Sequence, residues 1–351
     1  MAITWPAKNN YATGDVLTAT NMNGVGDDLN DLFNNNFAAG KNKIINGDFG
    51  IWQRGTSFSN PSGTYTADRF AANGPTGDTV SQQTFTPGTA PVAGYEGQYY
   101  LRYATGATAG TRYFFQKVED VRTLAGQSCT FSFWAKVNTG TATLTTYFYQ
   151  QFGSGGSADY TSSTATQTVT TSWQRFSFSI TMPSVSGKTI GAGSLVQAAF
   201  SFTDVSKNLD LWGFQLEAGS TATPFQTATG TKQGELAACQ RYYYRATTDV
   251  VYGTFPIMGI ANATTTIISH MKLPVTMRVK PYAVEYPTIG TIRAYDGVTT
   301  TAMTALALSA NSGQDVAYLD WTVASGLTQY RPYIVAANNS ASAYVGVNAE
   351  L

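Results

Sequence analysis

The chain has 351 residues, 43% of them hydrophobic and only 12% charged, with 21 Lys and Arg balanced by 21 Asp and Glu. That length calls for two or three packed units rather than one. A net charge of zero excludes the basic footprint of a nucleic-acid binder or of a patch for anionic membranes. Thr, Ser, Asn and Gln supply the polar surface instead, and with 34 Gly and 21 Tyr they give the composition of an externally exposed β-protein. Met1 to Tyr11 has no apolar h-region, so no secretory signal is expected. No apolar run reaches the roughly 20 residues of a membrane helix, so no membrane insertion is expected. Cys129 and Cys239 are read as two buried thiols in preference to a disulfide, which their spacing cannot establish.

Residues 1–42 read as an N-terminal arm. Thr20 is a candidate helix N-cap, and Met22, Val25, Leu29 and Leu32 then recur as a helical seam. Asp27, Asp28, Asn30 and Asp31 occupy the opposite face. So short a seam, weakened by Gly24 and Gly26, cannot hold a lone helix. It needs a partner: the chain's own sandwich, copies of itself around a symmetry axis, or another protein of an assembly. From Lys41 to Gly55, Ile44-Ile45 reads as the start of an edge strand and Asn46-Gly47-Asp48 as a turn. Phe49 to Arg54 reads as a second short strand, with Trp52 a core aromatic and Arg54 tied to Asp48 or Asp68.

Residues 43–230 read as one β-domain, a jelly-roll β-sandwich. Its strand candidates are Gln98–Tyr103, Arg112–Lys117, Thr130–Val137, Thr143–Phe152, Trp173–Ile180, Leu195–Phe202 and Leu209–Glu217, separated by Gly-, Ser- and Thr-rich turns. Residues 231–351 read as a second, smaller β-domain. It opens on Glu235 to Arg241, good helix formers for one or two turns, and a strand then starts at Tyr242-Tyr243-Tyr244. Further candidates are Phe255–Ala261, Thr265–Lys272, Thr276–Val279, Thr291–Tyr295, Ala317–Val323, Tyr330–Ala336 and Ala343–Ala349. Pro274, Pro281 and Pro287 confine some of these to edges.

Catalytic constellations are missing from the sequence. The single histidine, His270, reads as a surface or hydrogen-bonded strand residue, so a His-rich metal site is excluded and a Ser-His-Asp triad would rest on it alone. There is no Walker loop, Cys-x-x-Cys, Gly-x-Ser-x-Gly or dinucleotide fingerprint in a suitable context. The carboxylates Asp48, Asp68, Glu119, Asp120, Asp210 and Glu217 cannot be paired as a glycosidase would need. The chain is therefore read as non-enzymatic and as needing no cofactor.

Strand faces carry more information. Alternation buries Phe131, Phe133, Ala135 and Val137 and turns Trp134 and Lys136 the other way. Leu144, Phe148 and Phe152 point inward, opposite Tyr147, Tyr149 and Gln151. Phe176, Phe178 and Ile180 point inward, opposite Trp173 and Arg175. If these strands are neighbours, one outer face carries Trp134, Lys136, Tyr147, Tyr149, Gln151, Trp173 and Arg175. Aromatic planes edged by amide and guanidinium donors suit sugars. They suit, and slightly better, an interface with the arm, the second domain or a neighbouring subunit.

Asn42-Lys43-Ile44-Ile45-Asn46-Gly47-Asp48-Phe49-Gly50-Ile51-Trp52-Gln53-Arg54-Gly55, followed by Tyr65-Thr66-Ala67-Asp68-Arg69-Phe70, resembles the opening of bacteriophage tail-fibre and receptor-binding proteins. Leu211-Trp212-Gly213-Phe214-Gln215-Leu216-Glu217 is similar to the closing strand of the same domain, and Glu235 to Tyr243 to the element after it. Gly14 to Asn23, Leu273 to Pro281 and Val347 to Leu351 also resemble that family, while residues 75–200 match only in pattern. The resemblance implies a homotrimeric virion adhesin. Residues 1–40 would attach it to a phage tail or other virion protein, and the β-domains would meet a host surface glycan or protein receptor. Localisation on the virion agrees with an exposed composition lacking an export signal, as for a protein made in the host cytoplasm and released by lysis. The alternatives are a structural fibre or decoration protein without receptor binding, or a capsule-degrading enzyme. The opening and closing strands also look like those of carbohydrate-binding jelly-roll modules, in which an acidic residue after the Asn-Gly-Asp-Phe run helps hold a structural calcium. That position is Gly50 here, leaving Asp48 and Asp210 as weak oxygen-ligand candidates.

Overall fold

The computed structural model describes residues 39–92 and 95–351, and the expected helical seam from Met22 to Leu32 lies outside them. The chain is mainly β: two antiparallel sheets packed as a jelly-roll-type sandwich, then a closed antiparallel barrel and a small three-stranded sheet. The front sheet runs in the order Ser57–Ser59, Thr79–Thr84, Tyr99–Ala104, Asn208–Ala218, Ser128–Val137, Gln174–Thr181. The back sheet runs Ala165–Val169, Ala142–Gln151, Leu195–Phe202, Arg112–Glu119, Phe70–Asn73, Ser62–Tyr65, with Tyr160–Thr161 pairing onto Ala142–Gln151.

Between the sheets lies a phenylalanine-rich core. Phe131, Phe133, Ala135 and Val137 of the front sheet meet Leu144, Phe148, Phe200 and Phe202 of the back sheet, as strand alternation requires. Phe214 stacks on Phe133 at 5.2 Å between ring centroids. A bulge makes this possible: the register of Asn208–Ala218 against Ser128–Val137 shifts between Trp212 and Gln215. Leu209 and Leu211 point inward, the extra residue at Gly213 (φ +67°) resets the alternation, and Phe214 and Leu216 point inward again. Trp212 is thereby turned to the outer face.

Residues 43–54 form no strand, contrary to expectation. They are a turn and loop wedged against the sandwich. Asn46 and Phe49 adopt left-handed backbone (φ +61° and +54°), which breaks any strand here. The Asn46 amide instead bonds the Ile51 N–H and carbonyl at 2.9 Å each. Gly47 packs so closely that a Cβ would lie 2.1 Å from the Phe214 carbonyl oxygen. Trp52 packs half-buried against the core. Arg54 pairs with Glu350 at 3.3 Å, while Asp68 accepts from the Gln53 backbone at 2.8 Å and from its side chain.

Helix Lys232–Gln240 follows the sandwich, its N-cap Thr231 accepting from the Gly234 N–H at 3.0 Å. The barrel then closes in the order Thr254–Ala263, Thr266–Lys272, Val316–Val323, Thr300–Leu308, Ile292–Tyr295, Pro332–Ala337. Trp321 fills its interior, donating to Ser269 Oγ at 2.8 Å. Tyr243–Thr247, Tyr344–Asn348 and Ala283–Glu285 make the three-stranded sheet. The expected strand Thr276–Val279 is irregular. Thr300–Leu308, hidden in a Thr- and Ala-rich run, is a barrel strand that alternation did not reveal. Cys129 and Cys239 are free and buried, and burial pushes the Cys129 thiol up to about 11.

Candidate functional site

The candidate sugar face is split between the two sheets. Trp134, Lys136 and Arg175 stand on the outer side of the front sheet, with Trp173 just before its edge strand. Tyr147, Tyr149 and Gln151 stand on the outer side of the back sheet. The connection 138–141 carries the chain from one sheet to the other, so Ser128–Val137 and Ala142–Gln151 are not neighbours. Alternation gives a residue's face within its strand; it does not say which sheet that strand joins.

On the front face the register aligns Arg175, Trp134 and Trp212 in one row, and Lys136, Asp210 and Arg102 in the next. Much of the first row is covered. Phe225 closes on Trp134 and Trp212, which retain 8% and 0% exposure. Thr223 is held by Glu217, which accepts from its N–H at 2.9 Å and its hydroxyl at 2.6 Å. Arg175 donates to the Thr223 carbonyl and to Ser132 Oγ, and its guanidinium lies 4.5 Å from the Trp134 ring centroid. Trp134 and Arg175 therefore brace a covering loop and offer no open sugar contact.

The second row opens into a groove of about 300 Å³ lined by Thr84, Phe85, Thr86, Thr89, Tyr100, Lys136 and Trp173. Phe85, Tyr100 and Trp173 form a mutual aromatic cluster. Tyr100 stands edge-on to Trp173 at 5.7 Å and 88°, and Phe85 lies 4.8 Å from Tyr100. The Lys136 ammonium sits 5.2 Å from the Trp173 ring centroid. Beneath it, Arg102 grips both oxygens of Asp210 at 2.7 and 2.9 Å. Burial and the Asp210 charge raise the Tyr100 phenol, and the hydrogen bond that Arg102 donates to Asp210 raises Arg102. Sequence reasoning missed Phe85 and Tyr100. Thr84-Phe85-Thr86 lies where strand Thr79–Thr84 ends, and no periodicity marked it.

On the back face, Tyr147 is level with Ala199 and Phe115, and Tyr149 with Gln197 and Lys117. Tyr113 is 37% exposed. Burial, then the nearby Tyr113, pushes the Tyr147 phenol up to about 12. The far end of this face is occupied by the C-terminal part of the chain: Lys117 Nζ donates to the Leu351 carbonyl at 2.7 Å, and Glu119 holds Arg241 at 3.0 Å and the Tyr242 hydroxyl at 3.1 Å. These contacts to the second unit come from the neighbouring strand Arg112–Glu119 and involve none of Tyr147, Tyr149 and Gln151.

Asp48 and Asp210 serve different partners. Asp48 Oδ2 accepts from the Tyr95 hydroxyl at 3.0 Å, and both Asp210 oxygens are taken by Arg102. Gly50 adds no side chain, and among the described residues no group of three or more His, Cys, Asp and Glu is placed to hold a metal. This donor set does not fit calcium's six to eight oxygens. A second cleft, about 370 Å³, has Asp48, Tyr95, Glu96 and Glu235 in its wall. Both Glu235 oxygens are engaged there, with the Asn46 N–H at 2.6 Å and the Thr229 N–H at 2.7 Å. His270 lies on the exposed outer side of the barrel, edge-on to Tyr318 at 4.6 Å.

No family model and no curated protein matches the chain. Among solved structures it is similar to the enzymatically active domain of bacteriophage CBA120 tailspike protein 4, at 12% identity and a TM-score of 0.34. That match covers 51% of this chain and 22% of the tailspike chain, so this chain spans about a fifth of it. It is also similar to the CBM22-1 xylan-binding domain of Paenibacillus barcinonensis Xyn10C, with 18% identity, a TM-score of 0.31 and coverage of 53% of this chain and 100% of that one. The family 11 carbohydrate-binding module of Clostridium thermocellum matches at 12% identity and a TM-score of 0.31, over 48% of this chain and 97% of that one.

Proposed function

We propose that this chain is a non-enzymatic adhesin of a phage virion that binds a saccharide of the host surface through the front-sheet groove. The observation that carries the reading is the half-open cluster of Phe85, Tyr100 and Trp173 beside Lys136. Aromatic walls take the C–H faces of a sugar ring, while threonine hydroxyls and an ammonium take its oxygens. The virion setting is supported by the tail-fibre-like stretches spread in order along the sequence. Residues 1–40 would attach the protein to the particle. The barrel would form the tip or the contact within a homotrimer, a role supported by the exposure of Met258 (67%), Ile260 (41%) and Tyr330 (73%) on its outside.

The test is binding of the purified full chain to host cells and to their extracted polysaccharide. Trp173→Ala is expected to abolish binding with the melting curve preserved, because Trp173 is half-exposed and outside the main core. Intact binding by Trp173→Ala and Tyr100→Ala would refute the groove as the site. Released reducing ends would refute the non-enzymatic reading, and a single-chain mass in sedimentation would refute the trimer.

A further inference from the structure

We propose that the groove selects an acidic saccharide, one bearing a carboxylate such as a uronic or ulosonic acid, with Lys136 as the residue that reads the charge. This rests on the glycan-binding reading above. Lys136 is the one charged side chain among the described residues lining the groove. Its side chain is 32% exposed, and its ammonium forms a long ion pair with Asp210 Oδ2 at 3.8 Å, beyond hydrogen-bond distance. Asp210 already spends both oxygens on Arg102. The local count is two cations against one carboxylate, so one positive charge is left facing the groove. Among the described residues, no acceptor takes a hydrogen bond from the Lys136 ammonium, whose other contact is the Trp173 ring at 5.2 Å.

A neutral sugar would leave that charge uncompensated as it displaced water from the groove. A carboxylated sugar stacked on Trp173 would place its anion against free N–H donors, and hydrogen bonds between charged partners are the strong ones. The Arg102–Asp210 pair fixes the floor and keeps Asp210 from turning toward Lys136. The threonine hydroxyls of Thr84, Thr86 and Thr89 on the rim donate or accept as a ring's own hydroxyls require.

The experiment is binding of the full chain to an array of microbial glycans containing neutral, carboxylated and phosphorylated members, repeated after chemical reduction of the carboxyl groups. The expected result is binding to carboxylated members only, lost on reduction and weakened by added salt. Lys136→Gln should weaken it about ten-fold or more, the worth of a charged hydrogen bond, Lys136→Arg should retain it, and Trp173→Ala should remove it. Binding to neutral or to phosphorylated members in preference to carboxylated ones overturns the acidic-sugar assignment and leaves the glycan reading standing. So does unchanged carboxylate binding by a folded Lys136→Gln protein. Binding to no glycan at all overturns both.

Discussion

Replacing Glu350 by Gln is expected to cost about 3–5 kcal/mol, the range for breaking a buried ion pair by removing one partner. Glu350 is 1% exposed at its side chain and sits between two guanidinium groups of the sandwich. Arg69, equally buried, meets one carboxylate oxygen, and Arg54 meets the other at 3.3 Å. At that distance and an effective dielectric of 20, the Arg54 attraction is worth about 5 kcal/mol before desolvation is subtracted. Glutamine keeps the shape and loses the charge, leaving two cations whose Arg54 Nη2 and Arg69 Nε atoms have no hydrogen-bond partner among the described residues. Stacking persists, since Arg69 lies 3.4 Å from the Tyr242 ring centroid and Arg54 3.5 Å from that of Tyr243, so the unit should loosen without unfolding outright.

Urea unfolding followed by tryptophan fluorescence and by circular dichroism measures the loss. The decisive arm is a double-mutant cycle: in the Glu350→Gln background, Arg69→Met should cost at least 1 kcal/mol less than it does alone, as coupled neighbours do. A loss below about 1 kcal/mol for Glu350→Gln, or additive costs in the cycle, would show that the pair merely accompanies the apolar contact.

Gly213→Ala should destabilise by at least about 2 kcal/mol, because the new Cβ would lie 2.6 Å from the Trp134 ring in left-handed backbone; thermal melting checks it. Glu235→Gln should cost about 2 kcal/mol, since an amide cannot accept from both the Asn46 and Thr229 N–H groups as the carboxylate does; chemical unfolding at neutral pH measures this. Burial holds the Asp68 and Glu235 carboxyls above their ordinary range, against the pull of Arg54 on Asp68 and of the Asn46 hydrogen bond on Glu235. The folded chain therefore binds more protons than the unfolded one between the ordinary and the raised values, and in that window these two groups add stability as pH falls. The wild type should accordingly gain on Asp68→Asn as pH is lowered through the window, and a constant difference in urea midpoints would contradict the assignment.

What the sequence disclosed depended on how far apart the partners lie. Phe131, Phe133, Ala135 and Val137 were legible as a core stripe because strand alternation is a property of neighbouring residues. The division of Tyr147 and Tyr149 from Trp134 was not, because the sheet a strand joins is decided by pairing with Leu195–Phe202 on one side and Asn208–Ala218 on the other. Arg54 was expected to meet a nearby carboxylate and instead meets Glu350, a residue 296 positions away. The groove was half visible: Trp173 and Lys136 stood out on their strands, whereas Phe85 and Tyr100 are brought beside them by pairing of Thr79–Thr84 with Tyr99–Ala104. Trp134 and Arg175 have the composition of a binding face and are used to seat a loop, which only the position of Phe225 reveals.

The opening stretch acquires its meaning from the same long-range contacts. The Asn42 side chain donates to the Phe214 and Gln226 carbonyls at 3.0 Å each and accepts from the Leu216 N–H at 3.0 Å. Gly47 lies against the Phe214 carbonyl, and the Phe214 N–H donates to the Gly47 carbonyl at 2.8 Å. Both residues therefore grip the strand at its bulge, where Gly213 turns Trp212 outward beneath the covering loop and Phe214 inward to the core. Farther along, the Asn46 N–H is taken by Glu235 of the helix, Gln53 donates to the Tyr243 carbonyl at 2.9 Å, and Arg54 reaches Glu350. One loop thus braces the bulged front strand on one side and the C-terminal unit on the other. The strand it braces also carries Asp210, which orders Arg102 beneath the groove. The Asn-Gly-Asp-Phe run contributes no side chain to the groove wall and bears on the groove only through that strand.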